Sequence, residues 1–435
     1  MAQRPQGRTR RRVAVLDGAR TPFIKARGEP GPFSPVDLAV AAGQQLALRQ
    51  AKAMDAVEEV ILGCGAPTSE APNTARVAAL RMGLGEHIPA YSVQRNCGSG
   101  MQSLDNALQQ IASGRNEVLL AGGTDALSHA PLELSGETAK WLGKLRKAKG
   151  AGERLSVAAE FRPGMAQPVV SLEKGLTDDV VKLGMGETAE VLAYEWDVSR
   201  EDADAYAARS HHRLHRAQRK GWLEDEVQPV FSRDGAVYDQ DDGVRPDSDS
   251  DQLSKLKAAF EKPHGQVTPG NSSQVTDGAC WCLLASEEAA ERLGVEPLGY
   301  IDDVEWAALD PKRMGLGPVL SCAPILKRNA LGLNDPDLWE INEAFAAQVL
   351  ACQAAFEDES FCREHLGLDH ALGRIEEDKL NVDGGAVAVG HPVGASGTRI
   401  VLHALFALNR TGGKRAIATE CIGGGQGGAM LVSAA

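Results

Sequence analysis

The sequence lacks long hydrophobic runs, paired cysteines and an excess of positive charge, and each absence excludes a class of protein. No apolar run approaches the roughly 20 residues that cross a bilayer. The eight cysteines of the 435-residue chain are scattered and none forms a Cys-x-x-Cys pair, which argues against a zinc ribbon or a thioredoxin-like site. The net charge of −13 argues against a general nucleic-acid binder, because neutralising phosphates requires a basic face.

We expect no secretion signal at the N-terminus, and a very short arginine-rich organelle presequence is the alternative. Arg8 and Arg10 to Arg12 are followed by Val13–Gly18, which is typical of a first strand and is not an apolar signal core. Scattered cysteines are typical of the reducing cytosol, so we expect a cytoplasmic protein. The composition, 43% hydrophobic and 24% charged, is that of a globular chain long enough for two or three domains.

Short apolar runs that end in glycine or at a polar turn alternate with helical stretches. The predicted strands include Val13–Leu16, Glu59–Leu62, Val118–Ala121 and Ala416–Ala418, and the predicted helices include Pro35–Leu48 and Thr398–Leu408. This alternation predicts an α/β fold with largely parallel strands.

An internal repeat is visible in the order of small residues, helix and strand. Ser99–Gly123 runs from Ser-Gly through a helix and a glycine to an apolar strand, and Ser396–Cys421 does the same with nearly the same spacing. Any α/β chain repeats such units, but the small residues match here as well as the elements. The repeat therefore favours two duplicated halves whose strand ends lie near each other.

The pattern changes between Pro131 and Thr276, where charge and proline increase and buried-strand signals decrease. We interpret this region as a helical insertion. It contains Lys140–Lys149, the most basic stretch of an acidic chain. Such a stretch is usually a solvated helix face, but on a helix Trp141 and Leu145 share one side. It could therefore also contact an acidic partner, an anionic membrane surface or a cofactor phosphate.

Cys97 stands at a predicted strand-to-helix turn. The strand-like stretch Ile88–Val93 leads into it, and the helix-like stretch Met101–Ala112 leads out. The free N–H groups and the positive end of that helix favour a thiolate over a thiol. Most cysteines are inert core residues, but the small residues after Cys97 leave room for a substrate. Cys97 is therefore the candidate nucleophile.

Two later motifs supply a candidate base and candidate hydrogen-bonding groups. His391 lies in the glycine-dense segment Gly384–Gly397, where the backbone can approach a ligand closely. Asn342 and Glu343 follow an apolar stretch and offer groups that could orient a water or a carbonyl, although Asn-Glu also commonly caps a helix.

A third motif places a second cysteine beside exposed backbone. Cys421 ends a predicted strand and is followed by Ile422 and the three glycines Gly423–Gly425. The segment lacks the Lys-Ser/Thr of a P-loop. Two thiols, a histidine and backbone N–H groups at Cys97 and Gly423 together indicate acyl transfer through a thioester, coupled to proton movement at the neighbouring carbon.

With these motifs in their order, the sequence resembles the thiolase family over nearly its whole length. Further stretches that look like family signatures are Val15–Phe23, Glu70–Arg76, Met185–Glu190, Gly265–Ser273 and Thr276–Ala279. The resemblance implies a five-layer αβαβα core from two duplicated halves, with an inserted helical loop domain that binds coenzyme A. The implied boundaries are 1–130 with 277–297 for the first half, 131–276 for the insert and 298–435 for the second half.

The resemblance also implies roles for single residues. Cys97 corresponds to the acylated nucleophile, His391 to its base and Cys421 to the acid/base at the alpha carbon. Asn342 matches the water-orienting residue of one oxyanion hole, and Gly423 the backbone donor of the other. The positions that fall where the family contacts coenzyme A are Met185, Arg245, Asp247 and Ser273.

The implied reaction is reversible thiolysis of 3-ketoacyl-CoA to acetyl-CoA and a shortened acyl-CoA. Coenzyme A is then a substrate, no cofactor is held permanently, and no metal is expected. A homodimer or homotetramer is expected. The long insert with its basic helix, and the stretch Phe361–Asn381, resemble the thiolase subunit of fatty-acid β-oxidation complexes. That group often carries histidine where this chain has Asn342, so a hydratase/dehydrogenase partner is one alternative and an independent thiolase the other.

Two other functions remain as alternatives. A ketoacyl synthase shares the fold and the cysteine nucleophile but normally pairs it with two histidines, or with a histidine and an asparagine. The turn from Cys421 to Gly425 argues against it. A catalytically silent lipid-binding or scaffold protein would not need Cys97, His391 and Cys421 together.

Overall fold

The computed structural model describes residues 11–435; Arg8 and Arg10 of the N-terminal arginine cluster lie outside the described residues. The strands are β1 Val13–Arg20, β2 Ile24–Lys25, β3 Glu59–Gly63, β4 Ala90–Val93, β5 Val118–Ala126, β6 Leu132–Glu133, β7 Val169–Val170, β8 Val230–Phe231, β9 Val237–Tyr238, β10 Thr276–Ser286, β11 Gly299–Ala308, β12 Leu338–Ile341, β13 Arg415–Ile422 and β14 Gln426–Ala434. The α-helices are α1 Pro35–Arg49, α2 Ala51–Met54, α3 Thr74–Met82, α4 Ser99–Ala112, α5 Gly136–Lys147, α6 Ala151–Ala158, α7 Ser171–Gly175, α8 Met185–Glu195, α9 Arg200–Arg219, α10 Ser250–Leu253, α11 Glu287–Leu293, α12 Gly317–Arg328, α13 Ala346–Glu357, α14 Glu359–Phe361, α15 Ala386–Val389 and α16 Val393–Thr411.

The large sheet consists of two halves with the same strand pattern. One half has the order β4-β3-β5-β10-β1 and the other β11-β14-β13-β12. In each, the first strand of the half pairs with its last strand. The halves meet where Ala14 and Val15 of β1 pair with Tyr300 and Gly299 of β11.

The expectation of largely parallel strands was wrong. In the large sheet described, β3 is parallel to β4 and β5, and β12 to β13, while the other pairings are antiparallel. The reason is that the last strand of each half is inserted between earlier strands in the opposite direction. β14 follows β13 after the short turn 423–425, and so short a connection can form only an antiparallel hairpin.

Side-chain alternation builds the layers. In β10, Trp281 and Leu283 pack on one face with residues of α1 and α3, and Cys282 and Leu284 pack on the other with residues of α4 and α16. A third apolar cluster joins the second sheet to α12 and α13. The layers are therefore α1/α3, first sheet, α4/α16, second sheet and α12/α13, which confirms the five-layer α/β prediction.

The two central helices touch at their first turns. A Cβ added to Gly100 of α4 would lie 2.7 Å from the carbonyl oxygen of Gly394, and one added to Gly397 of α16 would lie 2.6 Å from the nitrogen of Met101. Only glycine permits backbones to approach this closely. Because Cys97 precedes α4 and His391 precedes α16, the contact brings the two segments to the same end of the central layer.

Residues 131–276 contribute α5 to α10 and the two small sheets β6-β7 and β8-β9. In α5, Trp141 donates its indole N–H to the carbonyl of Val157 at 2.8 Å and packs on Phe161, with ring centroids 5.1 Å apart. Lys140 and Lys144 of the same helix are exposed. The basic helix thus packs its aromatic side on the insert itself. Within residues 11–435 no helix is long and apolar enough to cross a membrane.

Candidate active site

Cys97 lies in a turn that is fixed from both ends. The N–H of Arg95 donates to Ser99 Oγ at 2.8 Å, and that hydroxyl donates to the carbonyl of Asn96 at 2.6 Å. Asn96 takes the left-handed conformation, with φ of 45°, which asparagine tolerates better than most residues. Cys97 is partly exposed, whereas the other seven cysteines are buried. The turn therefore presents the Cys97 thiol to a ligand.

A cavity of about 420 Å³ opens on this turn. Its lining includes Cys97, Gly423, Val393 from the start of α16, and Leu176 and Met185 from the inserted region. Asn96 Nδ2 donates to the carbonyl of Gly423 at 2.8 Å, which holds the two strand-end turns together. The arrangement agrees with the expectation that the duplicated halves bring their strand ends together.

The expected thiolate is not what the electrostatics favour. Burial raises the pKa of Cys97 to about 12, although the N–H of Gly423 is directed at the sulfur and opposes the shift. The nearby carboxyl of Glu420 contributes a further increase. The positive end of one helix does not offset this loss of hydration, so the sulfur is a thiol at neutral pH and requires a base for activation.

His391 has the features of that base. Its Nδ1 lies 2.6 Å from Ser396 Oγ, and because that hydroxyl donates to the carbonyl of Pro392 at 3.1 Å, it accepts the hydrogen of Nδ1. The other ring nitrogen, Nε2, is then unprotonated, and it is buried with no hydrogen-bond partner among residues 11–435. Burial, reinforced by Arg399, lowers the pKa of His391 to about 4. The imidazole is therefore neutral and can accept a proton at Nε2.

Asn342 follows β12 and is completely buried. Its backbone N–H donates to the carbonyl of Thr419 at 2.9 Å, which fixes the residue beside β13. Neither atom of its side-chain amide has a partner within the described residues. Since buried polar groups are nearly always paired, the amide has hydrogen-bonding capacity left for a ligand or water.

Glu343, the neighbour of Asn342, is instead fully engaged by the protein. Its carboxylate accepts from the hydroxyl groups of Tyr206 at 2.9 Å and Ser210 at 2.7 Å. It also accepts from Asn381 Nδ2 at 2.8 Å and the N–H of Val387 at 3.1 Å. Glu343 therefore stabilises the loop, whereas the side-chain amide of Asn342 is available to bind a ligand or water.

Cys421, at the end of β13, is close to Cys97. It is 1% exposed, and burial followed by the proximity of Cys97 raises the pKa of its thiol well above the usual value. A Cβ added to Gly423 would lie 3.2 Å from the sulfur of Met185, so the second turn also touches the inserted region. Cys97, Gly423 and Met185 of the insert thus line one cavity, and Cys421 lies beside Cys97 but does not line that cavity itself.

The four expected coenzyme A contacts are not all at this cavity. Met185 lines it, whereas Arg245, Asp247 and Ser273 do not. The N–H of Ser273 donates to the carbonyl of Ala344 at 2.9 Å, so Ser273 lies beside the Asn342 loop. Arg245 is half-buried and Asp247 is exposed. Among residues 11–435 no cluster of three or more metal-ligating side chains occurs.

Comparison with known proteins agrees with this geometry over the whole chain. The thiolase N-terminal domain matches residues 13–288 and the thiolase C-terminal domain matches residues 295–434. The chain belongs to the thiolase family. It is thus an enzyme of the acyltransferase class, as the motifs predicted.

Relatives and solved structures support the same assignment. The chain is 37% identical to the 3-ketoacyl-CoA thiolase of Yersinia enterocolitica over 97% of its length and 96% of that protein. It matches the structure of human mitochondrial 3-ketoacyl-CoA thiolase in complex with CoA with a TM-score of 0.83, at 35% identity and 98% coverage of both chains. It matches a Bacillus anthracis acetyl-CoA acetyltransferase with the same TM-score, at 33% identity, covering 98% of this chain and 99% of that one.

Sequence reasoning missed a residue that links the thiolase halves. Asp125, in β5, accepts from the N–H groups of Gly65 at 3.1 Å, Ala66 at 2.8 Å and Gly394 at 2.5 Å. Burial raises the pKa of this carboxyl to about 6. Asp125 joins the turn after β3 to the first turn of α16. The signal available in the sequence was an acid directly after an apolar strand that contains two glycines.

Ser396 is a second missed residue, and its contact with His391 gives a prediction. Replacing Ser396 with alanine removes the acceptor of the Nδ1 hydrogen, so the imidazole loses its fixed tautomer. We expect kcat of the thiolase reaction to fall about tenfold, the value of one such hydrogen bond, while KM changes little. Steady-state kinetics checks this; Ser396→Thr, which keeps a hydroxyl, is the control. An equal loss in both variants would contradict the orienting role.

Proposed function

We propose that the chain catalyses the reversible thiolysis of 3-ketoacyl-CoA to acetyl-CoA and a shortened acyl-CoA, through an acyl thioester on Cys97. The observation that carries the proposal is that Cys97, which lines the cavity, has the N–H of Gly423 directed at its sulfur and the second thiol, Cys421, close beside it. The neutral His391, with Nε2 free, supports it from the adjoining helix. The names of the relatives and of the human structure with CoA support the same substrate class.

In the first half-reaction, the Cys97 sulfur attacks the 3-keto carbon and its proton passes to His391 Nε2. The oxygen of the resulting tetrahedral intermediate is stabilised by a donor such as the amide of Asn342, acting directly or through a water. The C2–C3 bond then breaks. Its electron pair goes to C2, and Cys421 protonates that carbon to give acetyl-CoA.

In the second half-reaction, the thiol of free coenzyme A loses its proton to the Cys421 thiolate and attacks the acyl carbon on Cys97. The N–H of Gly423 stabilises the oxyanion. The Cys97 sulfur leaves and recovers its proton from His391, so the enzyme returns to its starting state. Coenzyme A is a substrate in this scheme and no cofactor is retained.

For coenzyme A binding we propose Met185 beside the reacting groups, with Ser273, Arg245 and Asp247 contacting more distant parts. Met185 has the strongest support, because its sulfur adjoins Gly423. Ser273 lies next to the Asn342 loop. Arg245 and Asp247 rest on the family resemblance and on their position in the inserted region.

Incubation with acetoacetyl-CoA and free coenzyme A tests the proposal. Loss of the enolate absorbance is expected from a thiolase and not from a ketoacyl synthase or a silent scaffold. Repeating the assay over a series of acyl chain lengths gives the substrate range. Absence of thiolysis with every chain length would overturn the proposal.

Replacing Cys421 with alanine should separate the two chemical roles. The variant should still acylate at Cys97 but should lose roughly a hundredfold in turnover, since proton transfer at carbon loses its acid/base. Trapping the acyl-enzyme by mass spectrometry while measuring the steady-state rate checks the split. Normal turnover would show that Cys421 is a core residue only.

We also propose the domain boundaries given by the sequence, with 131–276 as the insert, a cytoplasmic location, and assembly as a homodimer or homotetramer. For Lys140–Lys149 we retain the proposal of docking to an acidic partner subunit or an anionic membrane surface. The packing of Trp141 on the insert leaves mainly the lysines for such a contact. Salt-sensitive binding to anionic vesicles or to a hydratase/dehydrogenase subunit tests it, and absence of both at low salt would contradict it.

A further inference from the structure

Glu420 is a buried acid that the scheme above does not use. It precedes Cys421 in β13 and is completely buried. Neither carboxyl oxygen has a hydrogen-bond partner within the described residues. Ala416 and Ala418 of the same strand pack in the central layer, so by alternation Glu420 also faces that layer. An acid in an apolar layer without a partner is rare.

The carboxyl of Glu420 lies at the junction of the two central helices. A Cβ added to Gly397 would be 2.4 Å from Glu420 Oε1 and 2.6 Å from the nitrogen of Met101. Gly397 belongs to the first turn of α16, and Met101 to the first turn of α4. The carboxyl is therefore next to the positive ends of both helices, directly below the turn that carries Cys97.

The protonation state of Glu420 depends on the charged and titratable groups of the elements packed around it. Arg399 on α16 is the nearest cation, but it is paired with Glu340 on β12 through Nη1 and Oε2 at 3.0 Å. The other titratable groups close to Glu420 are Cys97 before α4 and Cys421 on the same strand. Asp125 on β5 lies near Cys97, and the neutral His391 before α16 lies near Arg399. No ion pair of Glu420 occurs among residues 11–435.

Because Glu420 is buried and Arg399 is already paired with Glu340, the uncharged form of the acid is favoured. Burial raises the pKa of Glu420 well above the usual value for glutamate, and Arg399 offsets this only in part. The charge state matters because an anion at the N-termini of α4 and α16 would cancel part of their positive potential. The same anion would raise the pKa of both thiols, Cys97 and Cys421.

We propose that Glu420 is a positioning residue of the thiolase reaction that acts as an uncharged carboxylic acid. Its carboxyl lies at the junction of α4 and α16 and carries no charge. The positive potential of the two helix N-termini is therefore not reduced at the Cys97 sulfur or at the oxyanion beside it. The inference rests on the proposed role of Cys97 as the nucleophile.

The test compares Glu420→Gln with the wild type and with Glu59→Gln. Glu59 is a matched control because it is a buried strand glutamate in β3, at the end remote from Cys64 and the cavity. Its Oε2 has no hydrogen-bond partner in the part of the chain that the structure describes. Two quantities are measured from pH 6 to 10: the alkylation rate of Cys97 with iodoacetamide, followed by peptide mass spectrometry, and steady-state thiolysis.

At neutral pH, Glu420→Gln should keep both rates within about threefold of the wild type, since glutamine is also uncharged. As the pH rises, ionisation of the wild-type acid should hold back thiolate formation. Between pH 6 and 10 the rising alkylation rate of Cys97 should therefore be displaced by about half a pH unit or more to lower pH in Glu420→Gln. Glu59→Gln should follow the wild type in both assays.

Two results would overturn the inference. A loss of more than about tenfold in Glu420→Gln at neutral pH would mean that an ionised carboxylate is needed, and superimposable alkylation profiles would mean that Glu420 does not act on Cys97. If Glu420→Gln does not fold, ¹³C-glutamate NMR of the wild type decides: a carboxyl that stays protonated from pH 5 to 8 is expected, and its absence refutes the inference. If acyl-CoA fails to label wild-type Cys97, the proposed function fails instead.

Discussion

Replacing Cys97 with serine should abolish acyl-enzyme formation and reduce thiolysis by at least about a thousandfold. Burial already raises the pKa of the thiol to about 12, and a hydroxyl in the same place is a much weaker acid and nucleophile. His391, whose pKa is lowered to about 4, must already accept the proton of a weakly acidic thiol, and a serine hydroxyl would give up its proton less readily still. The serine variant should therefore bind substrate but not react.

Mass spectrometry after incubation with acyl-CoA checks this result. Wild type should carry the acyl group on Cys97 alone, because the other seven cysteines are buried. Cys362→Ser is the control: its sulfur contacts the carbonyls of Ala355 and Phe356, far along the chain from the catalytic motifs, and a hydroxyl can take its place. Label on Cys64 or Cys280, or normal turnover of Cys97→Ser, would refute the assignment.

The sequence predicted the elements that local patterns determine. The strand before Cys97 and the helix after it are present as β4 and α4, and the helix predicted at Thr398–Leu408 forms the centre of α16. The periodicity of apolar residues and the glycines at turns are enough to predict such elements. Strand direction was predicted wrongly, because β10 and β14 are inserted antiparallel between earlier strands and the periodicity of apolar residues does not report direction.

The charge states of the site residues were harder to predict than which residues form the site. The expectation of a thiolate at Cys97 used only the adjoining helix, whereas the pKa depends on burial by residues from both halves. Ser396 lies in the same segment as His391, and its role depends on a side-chain contact that the sequence does not show. Asp125 was missed because its contacts are distant in sequence. The bond from the N–H of Gly394 to Asp125 joins residues 269 positions apart, and nothing in either local sequence indicates it.

A buried ionic network holds the first half, the inserted region and α16 together. Arg20 of β1 donates to Glu226 at 2.8 Å and binds Asp241 with both Nη atoms, at 2.7 and 2.9 Å. His403 of α16 lies 3.0 Å from Glu226 through Nδ1 and 3.3 Å from Asp383 through Nε2. All these side chains are almost completely buried. The network therefore fixes α16, and with it His391, against the other two regions.

Replacing His403 with glutamine should destabilise the protein by about 3–5 kcal/mol, because it leaves buried carboxylates without their shared cation. Burial opposes the charge on His403, but Glu226 and Glu340 outweigh it and raise its pKa to about 10. Urea unfolding measures the loss. Lys144→Gln is the control, since it breaks an exposed ion pair with Glu160, and such pairs contribute about 0–1 kcal/mol.

The loss of stability in His403→Gln should depend on pH, and the pKa shifts of the network determine how. A histidine whose pKa rises from 6.5 to about 10 on folding stabilises the protein fully below pH 6.5, and this stabilisation disappears as the pH rises through 10. His403 and Arg20 overcome burial to lower the pKa of Glu226 from 4.5 to about 2, so its contribution is complete above pH 4.5 and disappears as the pH falls through 2. The difference between wild type and His403→Gln should therefore be largest between pH 4.5 and 6.5 and should shrink on both sides. A difference that does not change with pH would show that His403 stabilises the fold by packing and not by charge.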